Sequence, residues 1–246
     1  MTETRQVDET QSPAESRRSG KLVNRMIEKD VIREVSYDAY KKKVRGVYDG
    51  PKGALLSTAS RLSLHLAFGE RLLKSRKFDL RGAKSILDVG SGAGQIIQHL
   101  LKFADPGARI TGFDLSHEML KRARRRLESD RPLFVTADLT QLPFPDETFD
   151  CVTCGYVLEH LPDPRPGLAE LSRVLVAGGR MLLIATEDNF GGAWTSYFWL
   201  CRTYNRAELK ATCAELGLEW RRELWFSRFH EWMKAGGICV EIVKRS

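Results

Sequence analysis

Residues 85–95 read SILDVGSGAGQ. A short apolar run meets glycine at every second position, Gly90, Gly92 and Gly94. After Gln95 the pattern changes to helical spacing, with Ile96, Ile97, Leu100 and Leu101 on one face. Strand, glycine turn and helix make the opening of an α/β unit. Alternate glycines let a backbone approach another group closely, or take conformations closed to side chains. The strand also holds an acid, Asp88, where burial would normally exclude one. The loop is therefore expected to receive a ligand on bare backbone, with a carboxylate behind it.

The alternation continues outward from this stretch. ARITGFD (108–114) reads as a second strand. Ser116 is the N-cap of a helix that buries Met119, Leu120, Ala123 and Leu127 and turns Lys121, Arg122, Arg124, Arg125 and Arg126 the other way. LFVTAD (133–138) and FDCVTCGY (149–156) read as the third and fourth strands. GLAELSRVLV (167–176) reads as a helix stopped by Gly178 and Gly179, and RMLLIATED (180–188) as the fifth strand. Asn205 and Glu208 form a capping box for a helix through Leu216, ended by Gly217. EWRRELWF (219–226) and ICVEIVK (238–244) are late strands without a crossover helix between them, so antiparallel pairing is open to them. The pattern predicts an α/β fold with a mainly parallel sheet. In open sheets of that kind ligands lie outside the carboxyl ends of the strands. The glycine loop follows strand one, Asp114 closes strand two, Asp138 closes strand three, and Gly155 and Tyr156 close strand four.

A chain of 246 residues with 42% hydrophobic residues can bury a core for one large domain or one domain with an appendage. Residues 1–20 are polar and predict a disordered tail. Residues 21–80 predict a helical N-terminal cap, and 81–246 the main domain. The net charge of +7 is uneven: residues 1–84 carry 19 Lys+Arg against 11 Asp+Glu, the remainder 20 against 21. A basic N-terminal part suits a solvated helical face, or peripheral contact with an anionic membrane surface. Residues 1–20 lack the apolar run of a secretory leader, and no apolar stretch reaches the ~18 residues of a spanning helix. Five cysteines do not suggest a disulfide framework, and a cytoplasmic protein is expected. Cys151 and Cys154, three apart on a strand, should face opposite sides of the sheet as buried residues, with no metal held.

The loop departs from the dinucleotide fingerprint G-x-G-x-x-G/A, since the last small residue would fall on Gln95. Asp88 would also repel a pyrophosphate. The acids at the strand ends suit a ligand with a cationic centre, such as a sulfonium together with an amino group. A nicotinamide dehydrogenase is correspondingly disfavoured.

ILDVGSGAGQ, GFDLS, ADLTQLPFPDETFDCVTCGYVLEHL and RVLVAGGRMLLI, in that order, resemble the class I S-adenosylmethionine (SAM) methyltransferases. More narrowly they are similar to the type 11 group that includes the ubiquinone/menaquinone C-methyltransferases. The resemblance covers about residues 85–188. It implies a Rossmann-like, seven-stranded, mostly parallel sheet with helices on both faces and an antiparallel last strand, and SAM as the cofactor. It further implies that Gly90, Ser91, Gly92, Gly94 and Gln95 form the loop against the methionine and ribose parts. Asp88 would order that loop and reach the methionine amino group. Asp114 would accept both ribose hydroxyls. Leu115 and Met119 would flank the adenine, Asp138 would accept from its amino group, and the Leu139 N–H would donate to a ring nitrogen. Gly155 and Tyr156 would lie under the reactive methyl.

Tyr156, Glu159 and His160, in GYVLEHL, are the candidates near the strand-four end, with Tyr156 and His160 preferred as catalytic residues and His160 as a base for a phenol or enol. The competing reading is that Glu159 and His160 only orient the turn ended by Pro162 and Pro164. FGGAWTSYFWLCRTY (190–204) follows strand five and is rich in aromatics, which suits a small, aromatic or lipophilic acceptor or a patch packed on the N-terminal helices. GYVLEHLPDP departs from the quinone enzymes, which counts against a quinone acceptor. It also lacks the (N/D)PP(Y/F) pattern of base methylation, so no nucleic-acid partner is expected. A non-catalytic SAM-binding or partner-binding protein of the same fold is the alternative. The sequence assigns no oligomeric state.

Overall fold

The computed structural model describes residues 65–188, 202–225 and 237–246, and Lys42. Its elements in order are α1 (His65–Lys74), β1 (Ser85–Val89), α2 (Gln95–Phe103), β2 (Arg109–Asp114), α3 (His117–Leu127), β3 (Pro132–Thr136), β4 (Phe149–Gly155), a 3-10 turn (Leu158–His160), α4 (Pro164–Val174), β5 (Leu175–Ala185), α5 (Arg206–Glu215), β6 (Leu218–Glu223) and β7 (Ile238–Lys244). The strands form one seven-stranded sheet in the order β3-β2-β1-β4-β5-β7-β6. All neighbouring pairs from β3 to β5 are parallel, and β7 is antiparallel to both β5 and β6. The chain builds outward from β1 in one direction and from β4 in the other, so the crevice between β1 and β4 is the switch point. The Rossmann-like architecture expected from the sequence, with its antiparallel last strand, is present.

Alternation along each strand divides the core between the two faces. Leu87 and Val89 of β1 join one cluster with Leu168, Leu171 and Met181, while Ile86 joins the other with Ile97, Leu100 and Ile110. The same period places Cys154 in the first cluster and Cys151 in the second, on opposite faces as the spacing predicts. Leu72 and Leu73 of α1 are buried in the second cluster with Phe78 and Leu80.

Helix starts follow their caps. Ser116 accepts the Met119 N–H at 3.2 Å, and Asn205 accepts the N–H groups of Ala207 and Glu208. α4 begins three residues earlier than the spacing predicts. Asp163 caps it by accepting the Arg165 N–H at 2.9 Å, and Pro164 occupies the first helical position. It also ends earlier, at Val174, so Gly178 and Gly179 do not stop it. They lie inside β5, where the pairing with β4 shifts register between Phe149 and Cys151. Gly178 takes φ +72°, which suits such an irregularity. β3 ends at Thr136, two residues short of the sequence reading, and Asp138 lies in an isolated bridge with Gln141. The polar tail and most of the expected helical cap lie outside the described residues. Among the described residues no helix is long and apolar enough to cross a membrane.

Candidate functional site

The glycine loop is a series of left-handed turns, with φ of +66°, +51° and +80° at Gly90, Gly92 and Gly94. The buried Ser91 between them anchors it twice, its N–H donating to the Phe113 carbonyl at 2.9 Å and its hydroxyl to the Asp88 carbonyl at 3.0 Å. Asp114, at the end of β2, accepts the Gly92 N–H through Oδ2 and the Ser116 N–H through Oδ1, both at 2.8 Å. One carboxylate therefore fixes both the loop and the start of α3.

The glycines differ in what they permit. A Cβ at Gly90 would lie 2.3 Å from Val157 Cγ2, and one at Gly94 would lie 2.9 Å from Leu127 Cδ1. Those two glycines are required by packing. At Gly92 the nearest atoms, Gln95 Oε1 and Met119 Cε, are 3.6 Å away. At the middle of the loop a Cβ would thus meet only ordinary contacts, from the half-buried Gln95 and the buried Met119.

Asp88 is fully buried, between Gly112 on β2 and Thr153 on β4. Its Oδ1 accepts the Thr153 hydroxyl at 2.7 Å, and its Oδ2 is buried with no partner among the described residues. Burial pushes its pKa up to about 7 against the pull of Thr153 and Ser91, with the Asp114 charge adding to the rise. Beyond β2, Leu115 is half-buried. Asp138 Oδ1 accepts the Thr140 N–H at 3.0 Å and its hydroxyl at 2.9 Å. The Leu139 side chain is buried in the core, close to Gly167.

At the end of β4, Tyr156 takes φ +58° and its N–H donates to the Ile184 carbonyl at 2.8 Å. A non-glycine residue in this conformation stores strain, and such residues collect at functional sites. Burial raises the Tyr156 phenol well above its ordinary pKa, so it stays protonated. Desolvation lowers His160 to about 4, leaving a neutral imidazole at neutral pH. Glu159 between them is 3% exposed. Its Oε1 accepts the Thr186 N–H at 2.7 Å and the Thr186 hydroxyl at 2.9 Å, and its Oε2 has no partner among the described residues. Burial, the dominant effect, lifts its pKa to about 7. The same turn receives the Arg202 N–H on the Glu159 carbonyl at 3.0 Å and the Tyr204 hydroxyl on the Leu158 carbonyl at 2.5 Å.

The fold thus gathers the glycine loop, Asp88, Asp114, Leu115, Met119, Asp138, Gly155, Tyr156 and His160 at the carboxyl ends of four adjacent strands. Sequence reasoning missed Thr153 and Thr186. The register of FDCVTCG against SILDV could have found Thr153, because it is the residue beside Asp88. Thr186 had no local signal. The aromatic residues 190–200 lie outside the described residues. Among the described residues no cluster of His, Cys, Asp and Glu is suited to a metal.

Residues 87–183 match the family described as "Methyltransferase domain". The chain is 37% identical over 142 residues to a demethylmenaquinone methyltransferase of Clavibacter sepedonicus, covering 57% of each chain. Matches to the first four curated relatives span between 31% and 64% of those relatives' own length. Among solved structures, mitomycin 7-O-methyltransferase superposes with a TM-score of 0.70 at 19% identity, over 92% of this chain and 66% of that one. Magnesium protoporphyrin IX methyltransferase from Synechocystis PCC 6803, solved with bound SAM, gives a TM-score of 0.63 at 20% identity over 84% and 97%. The glycine loop, the β1–β4 crevice and the strand order all fall within or around the matched segment, and residues 87–183 are a methyltransferase domain on the class I SAM-methyltransferase fold.

Proposed function

We propose that this protein transfers the methyl group of SAM to a small, aromatic or lipophilic acceptor. One observation carries the reading. The glycine loop is held by Asp114, keeps its middle glycine, Gly92, clear of tight contacts, and lies next to a buried carboxyl, Asp88, with an oxygen unpartnered among the described residues. A donor set of two carboxylates and a bare backbone suits a ligand with hydroxyls and a positive charge, and does not suit a phosphate.

When bound, SAM supplies a methyl group already activated on a positively charged sulfur. The chain's own contribution is binding, alignment and exclusion of water. Asp114, which accepts the Gly92 and Ser116 N–H groups, would also accept the ribose hydroxyls. Leu115 and Met119 would flank the adenine, and Asp138 and the Leu139 N–H would read its edge. Gln95, Gly90, Ser91 and Gly94 would shape the loop around the methionine part. Gly155 and Tyr156 would border the transfer point. Tyr156, protonated, could donate a hydrogen bond but not accept a proton. His160, neutral, could take the proton of an acidic acceptor such as a phenol or enol, though a pKa near 4 makes it a weak base.

The relatives named for demethylmenaquinone support a lipophilic, quinone-like acceptor as the finer reading. The test is transfer of label from methyl-tritiated SAM to demethylmenaquinone and to a bacterial lipid extract. Label in an organic-soluble product supports the reading. Tight binding of SAM with no turnover on any such acceptor would favour a non-catalytic binder of the same fold.

A further inference from the structure

Two carboxyls, Asp88 on β1 and Glu159 in the turn after β4, are buried without a cation beside them among the described residues. Each has one oxygen bonded to a threonine, Thr153 or Thr186, and one buried oxygen with no partner. Neither forms an ion pair among the described residues. The turn that carries Glu159 packs on the glycine loop through Val157, whose Cγ2 lies 2.3 Å from where a Cβ at Gly90 would be. The other groups facing Glu159 are the phenols of Tyr156 and Tyr204, both held protonated by burial, and the neutral His160 on its own turn. Arg202 acts on Tyr204 and offers Glu159 only its backbone N–H.

An unpaired buried carboxyl is costly, and a glutamine would accept from Thr186 just as well. The charge itself must therefore be of use. We propose that Glu159 selects for positive charge in the cofactor site, so that the protein holds the sulfonium of SAM more tightly than the neutral thioether of S-adenosylhomocysteine (SAH). The inference rests on the SAM reading above. It gives the site a way to release its product, because methyl transfer removes the charge that Glu159 attracts. The attraction acts through space in a poorly screened interior and needs no contact. It exists only while Glu159 is ionised, so the preference should grow as pH rises through about 7.

SAM and SAH share their carboxylate, amine, ribose and adenine, and differ in one methyl group and the charge it brings to sulfur. The methyl group does not titrate, so the change of their affinity ratio with pH and on Glu159→Gln isolates the charge. Calorimetric titrations of both ligands at pH 6, 7 and 8, in buffers of different ionisation enthalpy, test it. The wild type is expected to favour SAM increasingly with pH, and to release more protons on binding SAM than SAH at pH 7. Glu159→Gln should weaken SAM on the order of ten-fold, leave SAH within two-fold and remove its part of the pH dependence. Asp88 titrates in the same range, so Asp88→Asn separates the two contributions. Thr186→Val, which removes one hydrogen bond to the carboxylate, should move the pH midpoint upward. Equal weakening of SAM and SAH by Glu159→Gln, or a ratio independent of pH, would overturn the inference. Failure of a folded wild type to bind either ligand would overturn the cofactor reading, and this inference with it.

Discussion

Asp114 Oδ2 accepts the backbone N–H of Gly92 at 2.8 Å, so the end of the second strand holds the middle of the glycine loop. The link spans 22 residues of sequence and joins the two motifs that the family resemblance treats separately. Gly92 is also the loop glycine where a Cβ would meet only ordinary contacts. Gly92→Ala would therefore cost only the strain of a left-handed alanine, about 1 kcal/mol, while its methyl group intrudes on the ligand's space. A denaturant melt close to wild type, with SAH affinity down at least ten-fold, is the expected pair of results.

Gly90 should behave in the opposite way. A Cβ there meets Val157 Cγ2 at 2.3 Å, on backbone with φ +66°. Gly90→Ala is expected to destabilise by about 2–4 kcal/mol, from overpacking plus backbone strain. The double variant with Val157→Ala should recover the packing part and retain about 1 kcal/mol of strain. A chemical-denaturation double-mutant cycle measures this, and strictly additive losses would remove Val157 as the cause.

The raised pKa values of Asp88 and Glu159 fix the sign of a pH effect on stability. In the unfolded chain both ionise near their ordinary values of 3.8 and 4.5, whereas in the folded protein both hold protons up to about 7. Between those limits the folded state binds more protons, so stability falls as pH rises and the loss is complete above about 7. Asp88→Asn and Glu159→Gln should each flatten the slope of unfolding free energy between pH 5 and 8, by on the order of 1–3 kcal/mol across the window. A slope unchanged in both variants would show that neither carboxyl titrates as described.

Arg206 ties together the chain on either side of two segments. Its guanidinium pairs with Glu187 at 2.7 and 2.9 Å and with Glu223 at 3.1 Å, donates to the Gly237 carbonyl at 3.2 Å and lies 5.5 Å from the Trp225 ring. Arg206 and Glu187 are largely shielded, with side chains 22% and 17% exposed. Arg206→Ala leaves Glu187 partly buried and unpaired, and is expected to cost about 1–3 kcal/mol. Arg206→Lys should recover less than half, because lysine lacks the planar fork. Thermal melts of the three proteins provide the check.

Much of this arrangement was legible in the sequence because parallel strands buried on both faces show as apolar runs, and helices between them as periodic ones. SILDV, RITGFD and ICVEIVK stand as read, within a residue. The misread boundaries have local causes. Asp163-Pro164 opens a helix but reads equally as a turn, and Gly178-Gly179 reads as a helix stop although it lies within an irregular strand. Asp88 announced itself as an acid inside an apolar run. Glu159 was legible as a candidate by its place after strand four, but its burial was not, because it sits among residues that suit a surface turn. Its burial depends on Thr186 and Arg202, which are 27 and 43 residues away and are brought in by β5 and the return toward α5.

The central claim is that the loop around Gly92 and Asp114 binds SAM. Calorimetric titration of the full chain with SAM and with SAH, on wild type and on Asp114→Ala, tests it most directly. Micromolar binding by the wild type, lost by at least ten-fold in a variant that still folds, is the predicted result. A folded wild type that binds neither ligand, or an Asp114→Ala protein that binds both as well as the wild type, would contradict the account.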